Sequence, residues 1–542
     1  MNWSVRALLQ SNPTKRILRF VRCHSEEDSM FMRPLSCENL NQLRFRWLRS
    51  AELLSFGLII SFCWCVFSIP VLAAERTTEL FVGGATVSIT PDRPVALWGQ
   101  MHTRISKGVE SPVTATVLVL ESRSGSKVHD EAVMVACDLV AIPTEALEQT
   151  RLRVQERLPQ LPVEKIFLSA THTHTAPVML EGVYEIPKEV VMQPSEYVAF
   201  FADRVADAIV TAWNSRKSGT VSWGLGYAAV AKNRRSVYED ATAVMYGQTN
   251  VSRFRMIEGY EDHGVESLFF WDDSGNLIAT AINVACPAQE VEGNDLVSAD
   301  FWHHVRKSLQ SEYGANLHVL GWTGAAGDQS PHLMIRKQAE ERMRKLRGLS
   351  RLEEISSRIV LAWKESLAAA TQDRHANAIL VHRVQKIELP RRPVTQREWE
   401  LAKSKIKELS TEQGKQTLLW WHGEVVRRYE EQQAATVEPF VMELHVIRLG
   451  DIAIATNSFE LFTDFGIAMK ARSPALQTFV IQLTGPGTYL PSARAVGGGG
   501  YSAIVESNAV GPEAGQGLVD RTIDHLNELW SDSPREEARP KK

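Results

Sequence analysis

The chain has 542 residues, 44% apolar and 23% charged, with a net charge of −4, a pI near 6.5 and a mean hydropathy of −0.17. This composition excludes wholesale disorder, a collagen-like fibre and a polytopic membrane protein. It holds no Lys/Arg block of the kind that binds DNA or RNA, so no nucleic-acid partner is expected.

The first fifty residues carry nine Lys/Arg against four Asp/Glu, which leaves the rest of the chain net acidic. From Leu53 to Ala73 runs an uncharged stretch, LLSFGLIISFCWCVFSIPVLA, with Arg44, Arg46 and Arg49 just before it and small residues at its end. A basic flank, an apolar segment and a small-residue exit are the parts of a signal peptide. The stretch is also long enough to anchor the chain in a bilayer. Either way the basic side precedes it, so the body is expected outside the cytoplasm: exported to the periplasm, the cell envelope or the medium. Of six cysteines, Cys137 and Cys286 alone lie beyond this segment. Two cysteines do not make a disulfide framework.

Beyond residue 74, short apolar runs alternate with amphipathic stretches. Ala132–Ala136, Lys165–Ala170, Leu317–Gly321, Asp451–Thr456 and Thr478–Leu483 read as strands. Leu277–Ala285 closes a hairpin with Leu268–Trp271 across an Asp-Asp-Ser-Gly-Asn turn. Ser195–Trp213, Ala299–Tyr313, Leu461–Ala471 and Glu513–Leu529 carry apolar residues at helical spacing. This alternation predicts an α/β fold: a central mixed sheet or sheets flanked by helices, in one large catalytic domain over residues 75–530. The charged stretches Gln338–Glu365 and Pro393–Gln433 read as a helical insertion, solvated or covering a face. Residues 1–74 are leader and signal segment, and 531–542 a frayed tail.

The informative polar residues share one position, just after an apolar run. Asp138, His172, His174, Cys286, Asp328, Glu460 and Tyr489 all sit there. In open α/β sheets such strand ends line the ligand crevice. In Thr171-His172-Thr173-His174-Thr175, an extended backbone would aim both imidazoles to one face. Gly324-Ala325-Ala326-Gly327-Asp328-Gln329-Ser330-Pro331 is a small-residue turn whose N–H groups would either approach a ligand or make a tight crossing. The Gly497–Gly500 run delivers Tyr501. A set of imidazole, carboxylate and phenol fits zinc hydrolysis, in which the ion acidifies a water and polarises a carbonyl. Neither H-E-x-x-H nor G-x-S-x-G is present, which disfavours the common metalloproteases and the serine α/β-hydrolases.

At these residues the chain resembles the catalytic domain of the neutral/alkaline non-lysosomal ceramidase family. The matching pieces are Gly84–Pro91, Ser169–Pro177, Gly327–Pro331, Glu460-Leu461-Phe462, Thr488–Ser492 and Gly500-Tyr501, in that order. The resemblance implies a one-zinc amidohydrolase of lipid metabolism that cleaves the N-acyl bond of ceramide-like substrates to a fatty acid and a sphingoid base. It implies His172, Glu460 and Tyr489 as zinc ligands. His174 would handle the proton beside the metal, and Tyr501 would steady the oxyanion. The substrate-contacting arginine is Arg234 or Arg235, with Arg235 favoured. Ser330 occupies the family's Gly-Asp-x-Ser-Pro turn, where a serine nucleophile is the alternative to a metal-activated water. Cys286 stands where the family places a second zinc histidine, either as a thiolate ligand or as a small buried thiol that weakens the metal site. Rival functions are a metal-dependent esterase or amidase on a non-sphingolipid substrate, and a metal-free protein of the same fold. A lipid substrate also implies association with a membrane surface.

Overall fold

The computed structural model describes residues 78–531. The basic leader, the apolar stretch 53–73 and the tail after residue 531 lie outside the described residues. Among those described, no helix is long and apolar enough to cross a membrane.

Eight strands form the larger sheet, in the order His318–Thr323, Leu277–Val284, Gly264–Asp272, Lys217–Tyr227, Glu79–Ser88, Thr114–Ser124, Lys127–Cys137, Ile166–Ala170. The middle of the sheet is antiparallel, and its two edges are parallel pairs: Leu277–Val284 with His318–Thr323, and Lys127–Cys137 with Ile166–Ala170. A second sheet runs Leu380–Leu389, Phe440–Leu449, Ile452–Thr456, Gln477–Ile481, and ends in another parallel pair.

Large side chains fill the space between the sheets: Leu118, Met134, Phe167, Phe270 and Trp322 from one, Ile447, Ile454 and Phe479 from the other. These strands are buried on both faces, so they read as continuous apolar runs rather than alternations. Helices cover the outer faces. Thr144–Arg157 and Pro194–Ser215 pack on one half of the large sheet. Phe301–Tyr313 and Arg351–Ala370 pack on the other half. Thr463–Arg472 and Pro512–Ser531 pack on the small sheet. The result is a mixed α/β domain of four layers: helix, sheet, sheet, helix.

Two sequence expectations change. Arg351–Ala370, taken with the charged insertion, is a core helix that buries Ile355, Ile359 and Trp363. Its charged face misled the composition reading, while its other face follows the helical period. The strand-end residue Asp138 is structural. It is fully buried and accepts both arms of Arg306 at 2.7 and 2.9 Å, plus the Thr114 amide at 2.8 Å.

Between the sheets lies a buried histidine pair. His382 Nε2 and His445 Nδ1 are 3.0 Å apart, and His445 Nε2 faces Glu443, which Arg151 holds. Burial holds both imidazoles below their ordinary pKa, reinforced at His382 by His445 and Lys165. An unfolded histidine titrates near about 6.5. Just below that pH the unfolded chain binds more protons than the folded one, so stability falls as acid is added. Denaturant midpoints should drop between about pH 7 and pH 5.5, and a His382→Gln/His445→Gln variant should show a flatter slope.

Candidate functional site

The parallel pairs aim their carboxyl ends at one place, and hydrogen bonds stitch the two sheets together there. The Ala170 amide donates to Leu483 O at 3.2 Å, and the Gln482 amide to Thr323 O at 3.0 Å. Asn283 Nδ2 donates to Val480 O at 3.0 Å, and Thr323 Oγ1 to Ala170 O at 3.2 Å ties the two edges of the large sheet to each other. The loops that follow these strands converge and carry the candidate site.

His172 does not sit in extended backbone. Its φ is +67°, in the left-handed region, and the loop is held by Thr171 N to Cys137 O and Thr173 N to Leu139 O. The period-two expectation for His172 and His174 therefore fails, although the rings still meet, 4.8 Å apart and edge-on. His172 Nδ1 donates to the Val140 carbonyl at 2.6 Å. A carbonyl only accepts, so the proton sits on Nδ1 and Nε2 is turned inward. That nitrogen lies 3.2 Å from Glu460 Oε2 and 3.3 Å from His174 Nε2.

Glu460 and Tyr489 are register partners on two short parallel strands, Glu460–Leu461 and Tyr489–Leu490, which sets their side chains side by side. Burial pushes the Glu460 carboxyl up, but His172 and Arg234 beside it bring it below the ordinary range, so it is an anion. Burial and then Glu460 push the Tyr489 phenol well up, so it is neutral and bonds the carboxylate. Burial, with His172 and Arg234 nearby, keeps His174 neutral.

Arg234, not the favoured Arg235, faces this cluster. It donates to Tyr489 Oη at 3.1 Å, Gly327 O at 3.0 Å, and both Gln289 Oε1 and Tyr246 Oη at 3.2 Å. Arg235 points away and is fully buried, paired with Glu258 at 2.6 and 3.0 Å and donating to Gly499 O at 2.7 Å. Ser330 is buried one contact further out. Its Oγ accepts from Tyr246 Oη and from the His332 amide, each at 3.1 Å. Tyr501 stands edge-on to Tyr489, ring centres 5.9 Å apart, and its ring also meets Trp421 of the helix Gln416–Gln433 at 5.7 Å.

Cys286 is not brought to the cluster. It is fully buried in an apolar core with Val284, Phe301 and Trp302, and its Sγ meets only the Pro287 carbonyl, at 3.7 Å. Burial, with Asp300 and Glu290, pushes the thiol far up. Its segment contributes Gln289 instead, whose Nε2 donates to His174 Nε2 at 2.8 Å. Two further residues escaped the sequence reading. Glu292 Oε2 faces His174 Nδ1 at 3.4 Å, and its Oε1 bonds His332 Nε2 at 3.1 Å. Both follow loops rather than apolar runs. The Glu290-x-Glu292 pair after Cys286-Pro287 was the available signal.

The small-residue turn is a tight crossing. The N–H groups of Gly324, Ala326, Gly327 and Gln329 are spent on Val284 O, Gln482 Oε1, Leu461 O and Ala326 O. Any Cβ on Gly327 would meet the Glu460 carbonyl oxygen at 2.3 Å, so only glycine lets the two segments cross. Asp328 ties the crossing together: it accepts from Asn233 Nδ2 at 2.8 Å and from Thr463 Oγ1 at 2.7 Å, and its carbonyl accepts the Arg234 amide at 2.9 Å.

Could these residues hold a metal? Among the described residues, no three His, Cys, Asp or Glu side chains form a metal-holding group. The set here is one imidazole, one carboxylate and a phenol, with a second imidazole adjacent. Its donor atoms fit: the 3.2 Å between His172 Nε2 and Glu460 Oε2 matches that of two ligands about 2.0–2.1 Å from a shared tetrahedral ion, and the Tyr489 phenol bonds the same carboxylate. The Val140 carbonyl fixes the ligating tautomer, as backbone carbonyls do for zinc-bound histidines.

Comparison with known proteins identifies the fold. Neutral ceramidase from Pseudomonas aeruginosa superposes with a TM-score of 0.62 at 17% identity, over 86% of this chain and 76% of that one. A ceramidase complexed with C2 gives 0.61 at 16% identity, over 86% and 77%. No family model and no curated protein matches the sequence. The chain thus has the neutral-ceramidase fold, a single large α/β domain.

Arg235→Gln should strand the buried Glu258 carboxylate and cost about 3–5 kcal/mol in urea unfolding. Arg234→Gln should cost less, because Glu460 keeps the Tyr489 hydroxyl as partner.

Proposed function

We propose that the protein is a zinc-dependent amidohydrolase acting on the N-acyl amide bond of ceramide-like lipids. The observation that carries this reading is the meeting of His172 Nε2, the Glu460 carboxylate and the Tyr489 phenol at one point of a neutral-ceramidase fold. Those three residues would hold the ion. When bound, zinc supplies Lewis-acid polarisation of the amide carbonyl and a water acidified to near neutrality.

The chain's own groups do the rest. Arg234 lies 3.9 Å from Glu460 and offsets part of its charge, which keeps the carboxylate anionic in a buried place. Tyr501 presents a neutral phenol, held protonated by burial and Glu460, as a donor to the oxygen that gains charge. His174 is neutral and would accept a proton of the attacking water and return it to the departing amine nitrogen. Its Nε2 accepts from Gln289, so the ring proton sits on Nδ1, aimed at Glu292. Glu292 passes that polarity to His332, which is part-exposed on a cleft of about 710 Å³. His174, Glu292 and His332 thus form a proton route from the buried cluster to water. The uncharged segment 53–73 directs this activity to the far side of a membrane.

One observation favours a rival. Cys286 turns into the core, which leaves the cluster with three protein ligands, the number a catalytic zinc uses but without reserve. A metal-free protein of the same fold would follow if three do not suffice. Purified protein should contain about one zinc per chain, lose it in His172→Ala, and cleave N-acyl sphingosines in a chelator-sensitive way. No bound metal and no cleavage would establish the metal-free reading. Cleavage of short esters alone would establish an esterase. Glu292→Gln should lower kcat about 10–100-fold with zinc content unchanged, read by turnover and metal analysis on the same preparation.

A further inference from the structure

Two arginine pairs meet across a cavity of about 250 Å³. Arg391-Arg392 follows the strand Leu380–Leu389, and Arg427-Arg428 lies on the helix Gln416–Gln433. The cavity is separate from the catalytic cluster, and the proposed hydrolysis uses none of its residues.

The charges there are unevenly matched. Arg427 has carboxylates: Glu424 at 2.7 Å and Glu431 at 2.5 Å. The other three rest mainly on neutral acceptors. Arg391 donates to the Glu438 carbonyl at 3.2 Å and lies over the Phe440 ring. Arg428 donates to the carbonyls of Val505 at 2.5 Å, Asn508 at 2.7 Å and Glu424 at 3.3 Å. Arg392 donates to the Ala503 carbonyl at 2.9 Å and to the Asn508 side chain, with Glu398 no nearer than 3.7 Å. Among the described residues, neither Arg391 nor Arg428 has a carboxylate at ion-pair distance.

The guanidiniums feel one another. Burial pushes Arg428 down to about 10, and Arg392, Arg391 and Arg427 add to the effect against Glu424. Burial and then Arg427 lower Arg391. Guanidinium stays charged at any physiological pH. Arg391 and Arg428, with no ion-pair partner among the described residues, therefore leave unmatched positive charge beside a space large enough for a small anion, and the one carboxylate lining it, Glu431, is paired with Arg427. Arg392 and Arg428 also staple the chain after Tyr501, but stapling gives no use to Arg391 at the rim.

We propose that this cavity binds a phosphate group, free or on a lipid headgroup, through the forked donors of Arg391 and Arg428 with Arg392 and Arg427 beside them. Planar forks suit phosphate oxygens, and the contact is charge-assisted. Because Arg392 and Arg428 grip the carbonyls of Ala503 and Val505, a bound phosphate would also steady the segment that carries Tyr501.

The test is calorimetric titration of the full-length protein with inorganic phosphate, against chloride at matched ionic strength. In parallel, binding to phosphatidylcholine vesicles is measured with and without phosphatidic acid. Saturable binding of phosphate, weakened about tenfold or more in Arg391→Gln and partly restored in Arg391→Lys, supports the proposal. So does binding to the acidic vesicles alone with the same dependence on residue 391, which assigns the source to a headgroup. Slower amide exchange over residues 501–508 in the presence of ligand is expected in either case. No saturable binding beyond chloride, or binding that Arg391→Gln leaves unchanged, overturns it. Should Arg391→Gln not fold, Arg391→Lys, which keeps the charge but not the fork, should bind phosphate more weakly than the wild type, and unchanged binding overturns the proposal.

Discussion

The site depends on how the two sheets are joined. Each ends in parallel strands, and backbone and side-chain hydrogen bonds cross between the sheets at those ends: Ala170 to Leu483, Gln482 to Thr323, Asn283 to Val480. Residues 172, 289, 328, 460 and 489 come from five segments spread over more than three hundred positions. They share one small volume because the strands before them are pinned a few residues upstream. Gln482 shows the economy of the join. Its amide N–H bonds the large sheet, while its side-chain oxygen accepts from Ala326 and Leu461, directly beside Glu460. Loosening this join would disperse the donor set without touching any member of it.

Within that volume the electrostatics centre on one buried carboxylate. Glu460 faces His172 Nε2, the Tyr489 phenol and the Arg234 guanidinium. The Val140 carbonyl takes the only proton of a neutral His172, which would leave a lone pair opposed to carboxylate oxygen. Such an opposition is unfavourable at low dielectric unless a positive charge lies between the two atoms or the ring is itself protonated. A zinc ion and an imidazolium are two answers to the same demand. His174 does not supply that charge: its Nε2, 3.3 Å from His172 Nε2, already accepts from Gln289.

The sequence made part of this legible. Apolar runs followed by His, Glu or Tyr marked the strand ends, because buried parallel strands are continuous in hydrophobicity and their ends are where chemistry can sit. It could not reveal phase. Arg234 and Arg235 are neighbours in an extended segment and project to opposite sides, so choosing between them needs the register with Asp328 and Glu258. It could not reveal loop conformation either. His172 reaches its partner through a left-handed backbone, and Cys286 turns inward while Gln289, three residues on, turns toward His174. Asp138 and Asp328 look like site residues by position, yet each is saturated by partners that hold the scaffold. A carboxylate already accepting from arginine, threonine or asparagine has little capacity left for a ligand.

The charged helical stretch before residue 434 gains a role from this geometry. Thr417 donates to the Val183 carbonyl at 2.8 Å, Trp421 lies against Tyr501, and Arg428 holds the carbonyls of Val505 and Asn508. Tyr501 is therefore packed against two rings, that of Tyr489 within the domain and an indole from the helix. Its approach runs through Gly499 and Gly500, both at positive φ, which impose no position of their own on the phenol. The polar composition of the helix reflects its solvent-facing surface, while the few residues that matter to the site lie on its inner side. What reads as an insertion by charge is a wall by contact, and the placement of the phenol rests on it.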